Sequence, residues 1–216
     1  MKISEGNCVH IQAVVFDVFG TLVQIGQKRH PYGQLLEKMS HLGRKPQPKD
    51  AARIMSNNVG LAGTAAMFGV DLPPAEIAAL EIELFAELAS IELFPDTLPT
   101  LHSLRHAGFK LALCSNLAAP YAVPVKLLLP PLDAYAWSFE VGSVKPNPVI
   151  YQEVCRRLNC LPQEVMMIGD NLESDCLAPR QLGMHGYHLA RHGNSPVVES
   201  LPTLDKLLEI LGCTRR

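Results

Sequence analysis

Four short apolar runs, each closed by polar or small residues, set the frame of this chain. Ala13-Val14-Val15-Phe16 ends at Asp17, and Leu111-Ala112-Leu113-Cys114 ends at Ser115-Asn116. Tyr135-Ala136-Trp137-Ser138-Phe139 leads to Gly142-Ser143-Val144-Lys145-Pro146. Val165-Met166-Met167-Ile168 runs into Gly169-Asp170-Asn171-Leu172-Glu173-Ser174-Asp175. Runs of this length without polar alternation read as strands buried on both faces, as in a parallel sheet. Helical stretches separate them, so the pattern predicts an α/β fold with helices on both faces of one sheet. Open sheets of this kind place ligands at the carboxyl ends of their strands. The polar groups that follow the runs should therefore gather along one edge.

The connection between the first two strands is roughly seventy residues, far beyond a usual α/β loop. It reads as helical. Ile77, Leu80, Leu84, Leu88 and Ile91 recur at three- and four-residue steps, which predicts a helix over Pro73 to Ile91 with Pro73 and Pro74 in its first turn. Tyr32 to Leu42 and Asp50 to Asn57 are weaker helical candidates, and Gly60, Gly63 and Gly69 interrupt the middle. Residues 23–93 thus read as a helical module inserted into a core made of 1–22 and 94–216. Phe94-Pro95-Asp96 reads as the return hinge, and a helix over Leu98 to Ala107 re-enters the core. Pro120, Pro124, Pro130 and Pro131 predict a short or broken helix before the third strand. Asn147-Pro148 marks a helix start, N-cap then proline. Met184 to Ala190 reads as the last core strand and Leu201 to Leu211 as a closing amphipathic helix.

Composition narrows the function classes. The 216 residues are 48% hydrophobic with a net charge of -2, enough for a sizeable core and without the basic excess of a nucleic-acid binder. The six cysteines, at 8, 114, 155, 160, 176 and 213, form no zinc-type pairs. Met1 to Gln12 lacks the long apolar stretch of a signal peptide, and no segment is apolar for long enough to cross a membrane. The expectation is a soluble cytoplasmic protein with reduced thiols, no membrane or nucleic-acid partner, and a small-molecule ligand.

Taken alone, Asp17 could simply cap the turn in which Gly20 reverses the chain. The ordered set of four strand ends changes that reading. Together these motifs resemble the haloacid dehalogenase superfamily, which includes phosphatases, phosphonatases and dehalogenases. The resemblance implies a Rossmann-like parallel sheet with an inserted helical cap domain. It implies that Asp17 is the nucleophile and that Ser115 holds the transferring group. Lys145 would neutralise charge, Asp170 would ligate a metal, and Asp175 would support that metal directly or through water. Gly20, Thr21 and Asn116, beside these positions, join Ser115 and Lys145 as expected substrate contacts. Clustered carboxylates repel unless a cation neutralises them, and oxygen donors favour magnesium over zinc. The expected cofactor is Mg2+, held by Asp17, Asp170 and the backbone carbonyl of Phe19. The expected reaction is hydrolysis of a small phosphorylated metabolite through an aspartyl-phosphate on Asp17.

Phe19 departs from that pattern. Phosphatases of the superfamily usually carry a second aspartate there, which protonates the leaving oxygen, a contribution of about 10²–10⁴-fold in general. Lys28, His30 and Tyr32 are conceivable substitutes. An aromatic residue at this position resembles the 2-haloacid dehalogenase branch, where halide departs without a proton. The acidic Gly169-Asp170-Asn171 segment differs from that branch. Phosphonatases also lack the second aspartate, but their nucleophile signature matches poorly. A binding protein that has lost turnover is the remaining alternative. His185, His188 and His192 superficially resemble a metal cluster, yet residues three apart on a strand point to opposite faces. Glu173 reads as a solvent-facing residue.

Overall fold

The computed structural model describes residues 11–191, 193 and 200–212. Cys8, His192 and Cys213, and positions 1–10 of the N-terminal segment, lie outside the described residues. The chain opens with β1 (Ala13–Phe16) and turns through Gly20 into β2 (Val23–Ile25). Four helices follow: α1 (Pro31–His41), α2 (Asp50–Met55), α3 (Leu61–Met67) and α4 (Pro74–Ala89). Then come β3 (Ile91–Leu93), α5 (Thr97–His106), β4 (Lys110–Ser115), a 3-10 turn, α6 (Ala122–Leu128) and β5 (Ala134–Trp137). The remainder is α7 (Ser138–Val141), α8 (Pro148–Leu158), β6 (Val165–Gly169), a π-helical turn at Leu172–Leu177, α9 (Ala178–Gln181), β7 (His185–Leu189), β8 (Ser200–Leu201) and α10 (Lys206–Ile210).

Six strands form one parallel sheet in the order β5-β4-β1-β6-β7-β8. The expected α/β architecture is present, and its core follows the two-residue period of a strand. Val14, Phe16, Leu111, Leu113, Met166 and Ile168 pack on one face with α5 and α10. Ala13, Val15, Ala112, Cys114, Val165 and Met167 pack on the other with α8. Both sets are buried, so the runs show no polar alternation. β1 lies between β4 and β6, with Phe16 level with Leu113 and Ile168. That register brings the ends of all three strands to the same level.

The segment between β2 and β3 has a hydrophobic cluster of its own, built from Leu35, Met39, Leu61, Ala65, Leu72, Leu80 and Leu84. It joins the sheet through an antiparallel ribbon in which Val23 faces Leu93 and Ile25 faces Ile91. This ribbon corrects the wholly helical reading of the segment. Ile91, expected on the long helix, belongs to β3, because the helix ends at Ser90. Three residues of alternation per strand are too few to stand out against a helical period. The return segment is clamped at both ends of its turn. Arg191 lies 4.0 Å over the Phe94 ring, donates to both Asp96 oxygens at 3.0 and 2.9 Å, and donates to the Thr21 carbonyl at 2.6 Å.

Other boundaries shift locally. Ser138 and Phe139 leave the third run to start α7. β7 is followed by one further strand, β8, whose Leu201 was expected to open a helix; that helix, α10, begins only at Lys206. α3 forms in spite of its glycine, and a Cβ at Gly63 would lie 2.9 Å from the Val59 Cβ. The helix start at Asn147 is as expected, with its side-chain oxygen accepting from the Val149 N–H at 3.0 Å. Among the described residues, no helix is long and apolar enough to cross a membrane.

Candidate active site

Asp17 leaves the tip of β1 and its N–H donates to the Ile168 carbonyl of β6 at 2.9 Å. This bond keeps the residue at the sheet edge. Asp170 follows β6 directly. Asp175 returns to the same edge because the π-helical turn folds over Asn171. There the Asn171 side chain accepts from the Ser174 N–H at 2.9 Å, and the Asp175 N–H donates to the Asn171 carbonyl at 2.8 Å. Asp17, Asp170 and Asp175 each present a carboxylate oxygen within 4.8 Å of the others. Asp17 and Asp175 are buried, and Asp170 sits exposed at the rim.

Two glycines make room for this convergence. Gly20 has a φ of +77°, and a Cβ there would stand 2.1 Å from Oδ2 of Asp170. A Cβ on Gly169 would stand 2.1 Å from Oδ2 of Asp175 and 2.8 Å from the Asp17 Cβ. Gly20 therefore serves both the turn and the approach of a carboxylate, and Gly169 serves only the approach.

Lys145 lies in the loop between α7 and α8, buried, with its Nζ 2.7 Å from Asp17 Oδ1 and 2.6 Å from Asp175 Oδ1. Burial alone would lower its ammonium, but the two carboxylates outweigh burial and hold it above its ordinary value. Burial raises the Asp175 carboxyl to about 7, against the opposing pull of Lys145. Burial, then the nearby Asp17 charge, also raises Asp170. Asn116 fixes the lysine's backbone. Its Nδ2 donates to the Lys145 carbonyl at 2.9 Å, and its Oδ1 accepts from the Lys145 N–H at 2.7 Å.

The donor set fits a hard divalent cation. Three carboxylates against one ammonium give the cluster up to two net negative charges, and burial together with this crowding raises Asp170 and Asp175. All side-chain donors are oxygens, the set that suits Mg2+. Both Asp175 oxygens are already engaged, Oδ1 by Lys145 and Oδ2 by the Asn171 N–H at 3.0 Å. Asp17 and Asp170 are thus the side chains best placed as direct ligands, with Asp175 behind them.

Ser115 ends β4, buried and level with Trp137 of β5. Thr21 is fully buried, its hydroxyl without a hydrogen-bond partner and its carbonyl taken by Arg191, so it offers no accessible atom to a ligand. Phe19 pairs with Val23 in an isolated bridge, and its ring meets Tyr121 edge-on at 5.8 Å. His185 and His188 do not form a cluster: their Nε2 atoms meet the carbonyls of Gln163 and Asp170, each at 3.1 Å. Glu173 is exposed.

Sequence reasoning missed two residues at the border between the helical segment and the sheet. Glu87 of α4 is buried and accepts from the Tyr121 hydroxyl and the Arg29 N–H, and from the His30 N–H at 2.8 Å. Burial would raise its carboxyl, yet these donors hold it below the usual range. The signal was available: Glu87 continues the buried stripe of Leu80 and Leu84 at helical spacing. A carboxylate on such a stripe requires partners. On the other side, the Ser138 hydroxyl donates to the Met55 carbonyl at 2.6 Å.

Comparison with known proteins identifies the family. The model of the haloacid dehalogenase-like hydrolase family matches residues 11–183, and the chain belongs to that family. A glyceraldehyde 3-phosphate phosphatase of Methanopyrus kandleri is 35% identical over 122 residues, 54% of this chain and about half (52%) of that protein. An (S)-2-haloacid dehalogenase 4A of Burkholderia cepacia is 28% identical over 89% of this chain and 88% of its own length. The crystal structure of a HAD phosphatase from Thermococcus onnurineus superposes with a TM-score of 0.67 at 25% identity, covering 95% of this chain and all (100%) of that one.

Proposed function

We propose that this hydrolase is a Mg2+-dependent phosphatase of a small phosphorylated metabolite, with Asp17 as nucleophile. The observation that carries the reading is the Asp17–Lys145–Asp175 chain with Asp170 beside it. Lys145 takes Oδ1 of Asp17 and fixes the carboxylate's orientation, while its charge favours an anionic substrate. The second carboxylate oxygen attacks phosphorus, the ester P–O bond breaks, and an aspartyl-phosphate forms. Water then attacks phosphorus, releasing phosphate and restoring Asp17. The Ser115 hydroxyl and the Lys145 ammonium hold the phosphoryl oxygens during both steps. Mg2+, held by Asp170, the Phe19 carbonyl and the Asp17 Oδ1 that Lys145 also contacts, would neutralise phosphate charge.

Residues 23–93 act as a cap that excludes water above Asp17. The contacts from Tyr121 to Glu87 and from Ser138 to Met55 support that role. The phosphatases among the relatives support a small phosphorylated substrate. Cys114, Cys155 and Cys160 form no disulfide among the described residues, which favours a cytoplasmic setting.

Phe19 favours a second reading, a 2-haloacid dehalogenase in which Asp17 attacks carbon and halide leaves without a proton. A panel of phosphate monoesters and 2-haloacids separates the two. The phosphatase reading expects phosphate release that requires Mg2+ and vanishes in Asp17→Asn. Halide release that persists in chelator, without phosphate release, contradicts it.

A further inference from the structure

A cavity of about 360 Å³ lies between the helical segment and the strand ends. Phe19, Ile25, Leu36, Ile54, Leu117 and Tyr121 are among the residues that form its wall. Asp17 itself does not line it, but Phe19, two residues after Asp17, and Asn116, next to Ser115, do. No Lys, Arg, His, Asp or Glu lines it among the described residues. Its polar side chains are nearly all committed. Asn116 is engaged in both directions with the Lys145 backbone, and the Tyr121 hydroxyl donates to Glu87. The Tyr32 hydroxyl has no partner, but it is buried and presents no accessible surface to the cavity.

This wall discriminates among leaving groups. A carboxylate or polyhydroxyl group would lose its hydrogen bonds to water and find no free partner in return. An aromatic group would gain apolar burial and ring contacts with Phe19 and Tyr121. Phe19 adds a second, chemical argument. With no acid beside the nucleophile, a leaving group that departs as a stable anion is favoured. A phenol ionises near pKa ~10, far more readily than an alkyl alcohol.

We propose that the cavity selects aryl phosphate monoesters. The inference rests on the phosphatase reading for its chemistry, but the cavity's preference is measurable without turnover. Calorimetry on the wild-type protein with Mg2+ should show benzylphosphonate binding at least tenfold more tightly than methylphosphonate, with phosphonoacetate the weakest of the three. Ala51→Phe, which fills the cavity from α2, should erase the benzyl advantage while changing methylphosphonate affinity less. The ratio is the readout, so a general loss of folded protein does not imitate the result. Phosphonoacetate binding as tightly as benzylphosphonate, or no binding by any of these probes, overturns the cavity's role. Absence of phosphate release from every monoester, with the phosphonate preference intact, instead overturns the phosphatase reading.

Discussion

Lys145→Met should destabilise the protein severely, and the geometry gives the size of the loss. The ammonium stands 2.7 Å from Asp17 and 2.6 Å from Asp175, with all three groups buried. At an effective dielectric of about 20, each contact is worth about 6 kcal/mol of gross attraction, most of which desolvation offsets. Removing one partner is different, because the carboxylates remain buried without it. Breaking such a pair costs about 3–5 kcal/mol, a large part of a typical total of about 5–15 kcal/mol. With a urea m-value of about 2 kcal/mol/M, the midpoint should fall by about 2 M. The sole tryptophan, Trp137, is buried in β5 and reports on the core, so its fluorescence follows the transition. The loss should shrink in acid. Without the ammonium, burial raises Asp175 further above its unfolded value, so the variant's folded state binds the extra proton. Its stability is then greatest at low pH and declines as pH rises through the folded pKa. Saturating Mg2+ should return part of the loss, about 2.7 kcal/mol at a hundredfold excess over Kd. A midpoint within about 0.3 M of wild type at pH 8, or a deficit that does not vary with pH, would refute the reasoning.

Gly20→Ala places a Cβ 2.1 Å from Asp170 Oδ2 at a φ of +77°, so calorimetry should record Mg2+ affinity at least tenfold weaker while circular dichroism stays native. Glu87 has its folded pKa below the unfolded value; its contribution is present above pH ~4.3 and is lost as pH falls through the folded pKa. Glu87→Gln should therefore lower stability at pH 7 by about 1–3 kcal/mol and flatten the acid limb of the pH profile; an unaltered acid limb in urea titrations would contradict this. Phe19→Asp restores an acid beside the nucleophile and should raise turnover of alkyl phosphates more than of aryl phosphates; an unchanged ratio means that proton donation does not limit the rate.

The sheet was legible because each strand of its centre is apolar on both sides and ends in a residue that no buried strand would choose. Asp17, Ser115 and Asp170 stand out in the sequence for that reason, and Asn147-Pro148 marks the start of α8 by its capping chemistry. The ribbon of β2 and β3 was not legible, since three-residue strands carry too little period. β8 was missed for the same reason, with two residues. At the site, the sequence could mark Asp175 as acidic but not as the residue whose oxygens are spent on Lys145 and Asn171. That follows from the π-helical turn, which leaves no periodic trace. Asn116 was assigned to the substrate side, whereas its amide is committed to Lys145. The pairing of Glu87 with Tyr121 depends on how two distant segments pack, and only the odd carboxylate on an apolar stripe hinted at it.

The central claim is that Asp17 attacks phosphorus and that water later attacks the same phosphorus. Single-turnover hydrolysis of an aryl phosphate in 18O-water, followed by mass spectrometry of released phosphate and of the peptide containing Asp17, tests this most directly. The account predicts label in phosphate and none in the Asp17 carboxylate. Label in the carboxylate would mean that water attacks a carbon of the enzyme's own ester, as the dehalogenase chemistry requires, and would contradict the account.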